Sequence, residues 1–277
     1  MTPVLAGTAA AAHDGHFSPL VFLAVLGGAV ALQAAANMLN DYYDYARGVD
    51  TGSAIGPGGV VQHGLLPPVA VLRGGLILLA AGSALGLWLV TVAGWPVLLA
   101  GIPSVAAAYA YSGGPLPYGY AGLGDLVVFV FMGPVIVLGA YFVQARGLGS
   151  TAWWISLPMA ALVTAILVVN NLRDLDSDRR VGKHTFATLI GDCATRIEYA
   201  SLVVLAYAGI AAGVAARGLP AVTLAALLTA PFAAALIRRV ARETDPRALT
   251  RGLRDTARLH QYTGVLLTLA LLVPGRR

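Results

Sequence analysis

A succession of long apolar runs constrains this chain more than any other feature. They lie at 18–40, 69–92, 95–111, 122–144, 152–172, 197–216, 219–239 and 255–273, separated by polar or Gly/Pro-rich punctuation. Roughly 20 mostly apolar helical residues cross the hydrocarbon of a bilayer, and these runs are close to that length. A ninth run, Pro3 to Ala12, is too short to cross and reads as the inner part of a first helix that begins upstream. Soluble domains carry charge at about a quarter of positions. Here only 11% of residues are charged and the mean hydropathy is +0.76. The expectation is an all-α polytopic membrane protein: a nine-helix transmembrane bundle around a central cavity, with a truncated first helix and 1–277 as one domain.

Charge sets the topology. The net charge of +5 comes from 17 arginines and one lysine, Lys183, against 13 acids. Placing the loops alternately puts fourteen of these cations on one side, including Arg47, Arg73, Arg173, Arg196 and the run from Arg238 to Arg258. Arg146, Arg217, Arg276 and Arg277 fall on the other. The positive-inside rule makes the crowded side cytoplasmic, so the cations speak for membrane topology and lipid contact rather than for nucleic acid. Val240 to Arg258 reads as a cytoplasmic connector. No basic stretch precedes the first apolar run, so no cleavable signal peptide is expected. The one cysteine, Cys193, excludes an internal disulfide and a cysteine-rich metal site.

The acids are as unevenly placed as the cations. Asn37, Asn40, Asp41 and Asp44 stand three or four apart at the end of the second helix, so their oxygens share one face, and Asp50 follows six residues on. Asn170, Asp174 and Asp178 repeat that spacing after the sixth helix, with Asn171 and Asp176 between them. Both clusters fall on the cytoplasmic side, so two carboxylate-bearing helix ends can face one another across a cavity. Carboxylate and amide oxygens without a His/Cys set suit Mg2+, which takes a few carboxylates and fills its shell with water and substrate phosphate. Bare, the acids would repel one another at a membrane boundary; cations and an anionic diphosphate would relieve that.

Arg173, Arg179, Arg180 and Lys183 interleave with the second cluster. They read either as positive-inside anchors or as diphosphate ligands, the guanidinium binding bidentately and the ammonium as a point charge. Tyr109, Tyr111, Tyr118 and Tyr120 punctuate the Gly/Pro-rich stretch after the fourth helix. They are interfacial belt residues or lining of the cavity, with hydroxyls for diphosphate or ring substrate and faces for a cationic intermediate. His63 and His184 have no partner at metal-ligand spacing.

With these residues the chain resembles the UbiA superfamily of intramembrane prenyltransferases, marked by N-D-x-x-D-x-x-x-D after helix two and D-x-x-x-D after helix six. Asn40, Asp41 and Asp44 match the first motif, and Asp174 and Asp178 the second. NDYYDYARGVD at 40–50, PYGYAGLGD at 117–125 and NNLRDLDSDRRVGKHT at 170–185 are similar to the branch that acts on 1,4-dihydroxy-2-naphthoate. Three departures stand out: Gly48 replaces the last Asp of the first motif, Pro115 replaces a frequent lysine, and 51–61 lacks the usual arginines.

The resemblance implies Mg2+ held by Asp41, Asp44, Asp174 and Asp178 with help from Asn40, the four acids being the catalytic set. It implies a polyprenyl diphosphate contacted by Arg173, Arg179, Lys183 and Tyr111. Asn37, Asn170, Asn171, Tyr118 and Asp50 would serve substrate binding, Asp50 standing in place of the missing acid. Ionisation of the diphosphate, attack by the naphthoate carbon that bears the carboxylate, loss of carbon dioxide and oxidation would give demethylmenaquinone. Another aromatic acceptor, a secondary transporter or a structural subunit are the competing readings; the last leaves the clustered acids without a purpose.

Overall fold

A computed structural model describes residues 1–48, 59–115 and 117–273. Among them there is no strand, only an isolated bridge between Ala121 and His184, and the fold is a bundle of helices. In chain order these are α1 (Thr2–His13), α2 (Pro19–Ala46), α3 (Pro68–Ala93), α4 (Pro96–Ala110), α5 (Gly124–Val130), α6 (Ile136–Ala145), α7 (Ser150–Arg173), α8 (Leu175–Arg180), α9 (Phe186–Ala215), α10 (Ala230–Arg242) and α11 (Pro246–Leu272). A π turn, Phe131–Val135, joins α5 to α6 into one rod, and a nine-residue 3-10 helix, Ala221–Thr229, leads into α10. Pro134 explains the π turn, since it supplies no N–H and crowds the preceding turn.

Six helical rods are long and apolar enough to cross a bilayer: Pro19–Ala46, Pro68–Ala93, Gly124–Ala145, Ser150–Arg173, Phe186–Ala215 and Ala221–Arg242. The expected nine membrane helices are not reached by that measure among the described residues. α1 has 12 residues and α4 has 15, and the first half of α11 is studded with arginine. Two boundaries also differ from expectation. α9 starts at Phe186 instead of near 197, because Thr185 and Thr188 form a reciprocal capping box and a bend at Gly191 (φ 83°) joins that first turn to the long rod. The supposed connector Val240–Arg258 is mostly helix, since Asp245 caps Arg247 N and Pro246 opens α11, leaving only 243–245 outside helices.

α7 is the axis of the bundle: two thirds of its apolar window (67%) is buried, against 11% for α2 and for α3, whose other faces are left for lipid. Small residues let neighbours close on it. Gly133 lies against Ala160, where an added Cβ would stand 2.8 Å from the Ala160 Cα; by the same means Gly7 lets α1 close on α6 at the Val137 carbonyl. Several buried hydroxyls pair across helices, Tyr199 with Thr256 at 2.9 Å and Thr229 with both Tyr207 (2.7 Å) and Thr263 (3.0 Å), which satisfies them in the apolar core. The packing leaves α2 to α6 around one side of α7, and a cavity lies between them.

Replacing Gly133 by valine forces the α5–α6 rod away from α7. The expected result is a loss of about 1–3 kcal/mol, read as a lower unfolding temperature in detergent; an unchanged temperature would show that the close approach carries no weight.

Candidate active site at the polar end of the bundle

The last turns of α2 bring the first acidic cluster to the end of the bundle. Asp44 is buried, yet both its oxygens are bonded: Asn40 Nδ2 donates to Oδ2 at 3.1 Å and the Tyr120 hydroxyl donates to Oδ1. The same Asn40 amide donates to Ser112 Oγ at 2.7 Å, and the Arg47 guanidinium bonds the Ser112 carbonyl. Asp41 lies under residues 59–61. Val61 N donates to its Oδ2 at 3.3 Å, and a side chain at Gly59 would collide with its carboxylate. Its Oδ1 is buried without a hydrogen-bond partner among the described residues.

The second cluster forms where α7 stops. Arg173 grips Asp174 with Nε (2.7 Å) and a terminal nitrogen (2.5 Å) and also donates to Asn170 Oδ1 at 3.0 Å. Its other terminal nitrogen, NH1, is buried without a hydrogen-bond partner among the described residues. Asp178, on the short α8, is buried, and Lys183 Nζ stands 3.9 Å from its carboxylate. Gly182, at φ 70°, turns the chain so that Lys183 N bonds the Asp178 carbonyl at 2.9 Å. Burial pushes the Asp178 carboxyl up to about 6; Lys183 opposes this, and the charges of Asp174 and Asp44 add to it.

Residues 111–115 and 117–123 strap the two clusters together. Gly122 N donates to the His184 carbonyl at 2.7 Å, which fixes the strap to the turn carrying Lys183. Tyr120 then sits between two cations, the Arg47 guanidinium 4.9 Å and the Lys183 ammonium 5.0 Å from its ring centroid, while its hydroxyl holds Asp44. Tyr111 stacks edge-on to Tyr118 at 5.4 Å and is close enough to feel the charges of Asp44, Asp125 and Asp178. Burial raises the ionisation of Tyr111, Tyr118 and Tyr120 above the ordinary tyrosine range, so these hydroxyls stay neutral donors.

Below this polar layer lies a cavity of about 540 Å³ between α2, α3, α4, the α5–α6 rod and α7. Its walls are apolar, with Leu32, Phe131, Met132 and Ile166 among them, and its polar end is made by Asn37, Asn40, Asn170, Tyr111 and Tyr118. An amphiphile with a polyanionic head and a hydrocarbon tail fits such a shape. A larger open pocket of about 810 Å³ at the other end of the bundle, beside His13 and Arg217, holds none of the expected site residues.

Most of the residues singled out from sequence therefore meet. Asn37, Asn40, Asn170, Tyr111 and Tyr118 line the cavity, and Asp44, Asp174, Asp178, Arg173 and Lys183 crown it. Asn171 does not line it: it is buried on the other flank of α7, donating to Asp125 Oδ1 at 3.3 Å. Arg179 is exposed, its guanidinium near Gly191. Asp50 lies outside the described residues. Sequence reasoning overlooked Ser112, Arg47, Asp125 and the part played by Tyr120, of which only Tyr120 and Asp125 gave a signal, as members of the 117–125 motif.

Among the described residues no three acids converge into a ready-made metal centre. The donor set still fits a hard cation that arrives with phosphate: oxygen ligands throughout, two carboxylates to a side, and one buried Asp41 oxygen with no partner among the described residues.

The fold and site define a polytopic helical membrane protein whose acid-rich polar end caps an apolar cavity. Residues 1–271 match the UbiA prenyltransferase family, and the chain belongs to it. It is 39% identical to the 1,4-dihydroxy-2-naphthoate octaprenyltransferase of Mycobacterium tuberculosis, over 99% of this chain and 91% of that one. To the enzyme of the same name from Bacillus subtilis it is 32% identical, over 98% and 87%. A solved UbiA homolog from Archaeoglobus fulgidus, bound to DMAPP and Mg2+, shares the fold at a TM-score of 0.61 and 13% identity, with 97% of this chain and 96% of that one covered.

Two outcomes are expected of the metal-free protein. In infrared difference spectra a protonated carboxyl band attributable to Asp178 grows in with a midpoint of about pH 6 and is missing from Asp178→Asn. Tyr120→Phe leaves a buried Asp44 oxygen without its donor and costs about 1–3 kcal/mol in unfolding measurements.

Proposed function

We propose that the chain transfers a polyprenyl group from polyprenyl diphosphate to 1,4-dihydroxy-2-naphthoate with loss of carbon dioxide, the prenylation step that leads to demethylmenaquinone. The observation that carries this reading is the joining of two acid-bearing helix ends by one strap over an apolar cavity. The full-length similarity to enzymes named for that acceptor supports the choice of ring. The whole of 1–277 is read as one prenyltransferase domain in the cell membrane, its site facing the cytoplasm on the arginine-rich side.

Asp41, Asp44, Asp174 and Asp178, with Asn40, would hold Mg2+. When bound, Mg2+ supplies Lewis-acid neutralisation of the diphosphate, making it a better leaving group. Arg173, whose second terminal nitrogen has no hydrogen-bond partner among the described residues, Lys183 and Arg47 surround the same space, with Tyr111 as a neutral donor. They hold the diphosphate as the allylic C–O bond breaks and both electrons leave with oxygen. The naphthoate carbon bearing the carboxylate forms the new bond, and the carbon–carboxylate bond then returns its electrons to the ring as carbon dioxide departs. Asn37, Asn170 and Tyr118, at the polar end of the cavity, orient the ring, and the tyrosine faces shield the cation. The apolar walls take the tail and exclude water.

Transfer of label from a radiolabelled polyprenyl diphosphate to 1,4-dihydroxy-2-naphthoate in detergent should require Mg2+ and stop with EDTA. Asp174→Ala should lower it by roughly 100-fold while the protein stays folded. Transfer to a different ring alone would remove the naphthoate assignment, and no transfer to any acceptor would remove the enzyme.

A further inference from the structure

The corner where α10 turns into α11 carries seven arginines between 238 and 258 against three acids. The acids are all committed. Asp255 pairs with Arg239 at 2.6 Å and Arg258 at 3.0 Å, Asp245 caps Arg247 N at 3.1 Å, and Glu243 accepts from Thr244 N and Asp245 N, each at 3.1 Å. Arg247, Arg251 and Arg254 are exposed and have no ion pair among the described residues. The positive-inside rule asks only for a count of charges on this side, whereas these have an order. Arg247, Arg251, Arg254 and Arg258 are spaced four, three and four apart, within about 60° of one another around the helix. The opposite face of α11, with Leu249, Gly252, Thr256 and Leu259, is buried, so the stripe faces away from the bundle.

The same face continues down the helix through Tyr262, Val265, Leu269 and Leu272, all exposed. Cations, then one tyrosine, then aliphatic side chains is the polarity profile of a membrane leaflet read from headgroup to hydrocarbon. From Arg254 to Leu272 the helix rises about 27 Å, less than the roughly 30 Å of hydrocarbon it borders, so the lower arginines sit in the headgroup layer rather than above it. A guanidinium there finds phosphate oxygens as its natural partners.

We infer that this face of α11 is a track for an anionic phospholipid, its phosphate held by Arg247, Arg251 and Arg254 and its acyl chains lying along Tyr262, Val265 and Leu269. The site is separate from the catalytic cavity, and its test reads lipid rather than prenyl transfer. Purified protein is offered equal amounts of phosphatidylglycerol and phosphatidylcholine in detergent, and bound lipid is counted by native mass spectrometry. The wild-type protein retains phosphatidylglycerol selectively. Joint replacement R247Q/R251Q/R254Q abolishes that preference, a loss of roughly 100-fold for three cations. Arg217→Gln, at the other end of the bundle, leaves it intact. Millimolar inorganic phosphate does not displace the lipid, because the acyl contacts remain. Equal retention of the two lipids, persistence of the preference in the triple variant, or displacement by phosphate overturns the inference. Should the triple variant not fold, Arg251→Gln and Arg254→Gln singly must each weaken the preference, and the triple lysine variant must keep most of it.

Discussion

The polar end of this bundle depends on how a carboxylate is kept at a membrane boundary. Asp44 is buried, and burying a charge is tolerated only where hydrogen bonds and cations surround it. Tyr120 meets that need twice: its hydroxyl bonds Asp44, and its ring carries Arg47 on one motif and Lys183 on the other. Without this strap Asp44 would lose a buried hydrogen bond, and Arg47 and Lys183 would lose the ring that both approach. With it, the two acidic ends are held in one layer above the cavity.

The cavity follows from unequal burial. α7 is enclosed because small residues at its contacts, Ala160 against Gly133 and Leu157 against Gly209, let helices approach closely. α2 and α3 instead pack chiefly on one another and turn large apolar side chains outward, among them Leu20, Leu23, Ile77 and Leu87. A bundle tight on one side and loose on the other leaves its void between the two, beneath the helix ends that bear the acids. A hydrocarbon tail is thereby placed below a polyanionic head with no loop needed to position either.

Much of this was legible in the sequence because two strong signals survive without tertiary context. Apolar length announced the helices, and the three- and four-residue spacing of Asn40, Asp44, Asn170 and Asp174 announced the faces. What remained hidden depends on contacts between distant residues. The bond from Tyr120 to Asp44 spans 76 positions, and nothing local separates that tyrosine from a belt residue. Asn170 and Asn171 look equivalent in sequence, yet 100° of helix sends one to the cavity and the other to Asp125. The early starts of α9 and α11 were hidden because hydropathy falls wherever charge enters. There Asp192 with Arg196, and Asp255 with Arg239, satisfy charges that a window average counts only as polar.

The absence of a preformed cluster of three acids among the described residues also has a physical logic. Each acid of the site is parted from the others by a donor of its own: Val61 N for Asp41, Tyr120 for Asp44, Arg173 for Asp174 and Lys183 for Asp178. Apart, they avoid the mutual repulsion that a bare tetrad would suffer; the raised ionisation of Asp178 comes first from its burial, with Asp174 and Asp44 adding to it. The same donors are those that recognise phosphate oxygens. On the proposed reading, Arg173 and Lys183 would donate to the diphosphate, and Asp174 and Asp178 would then be open to hold Mg2+. Mg2+ alone would have to break these ion pairs without replacing them, which is why a site of this construction favours the metal with its substrate over the metal by itself.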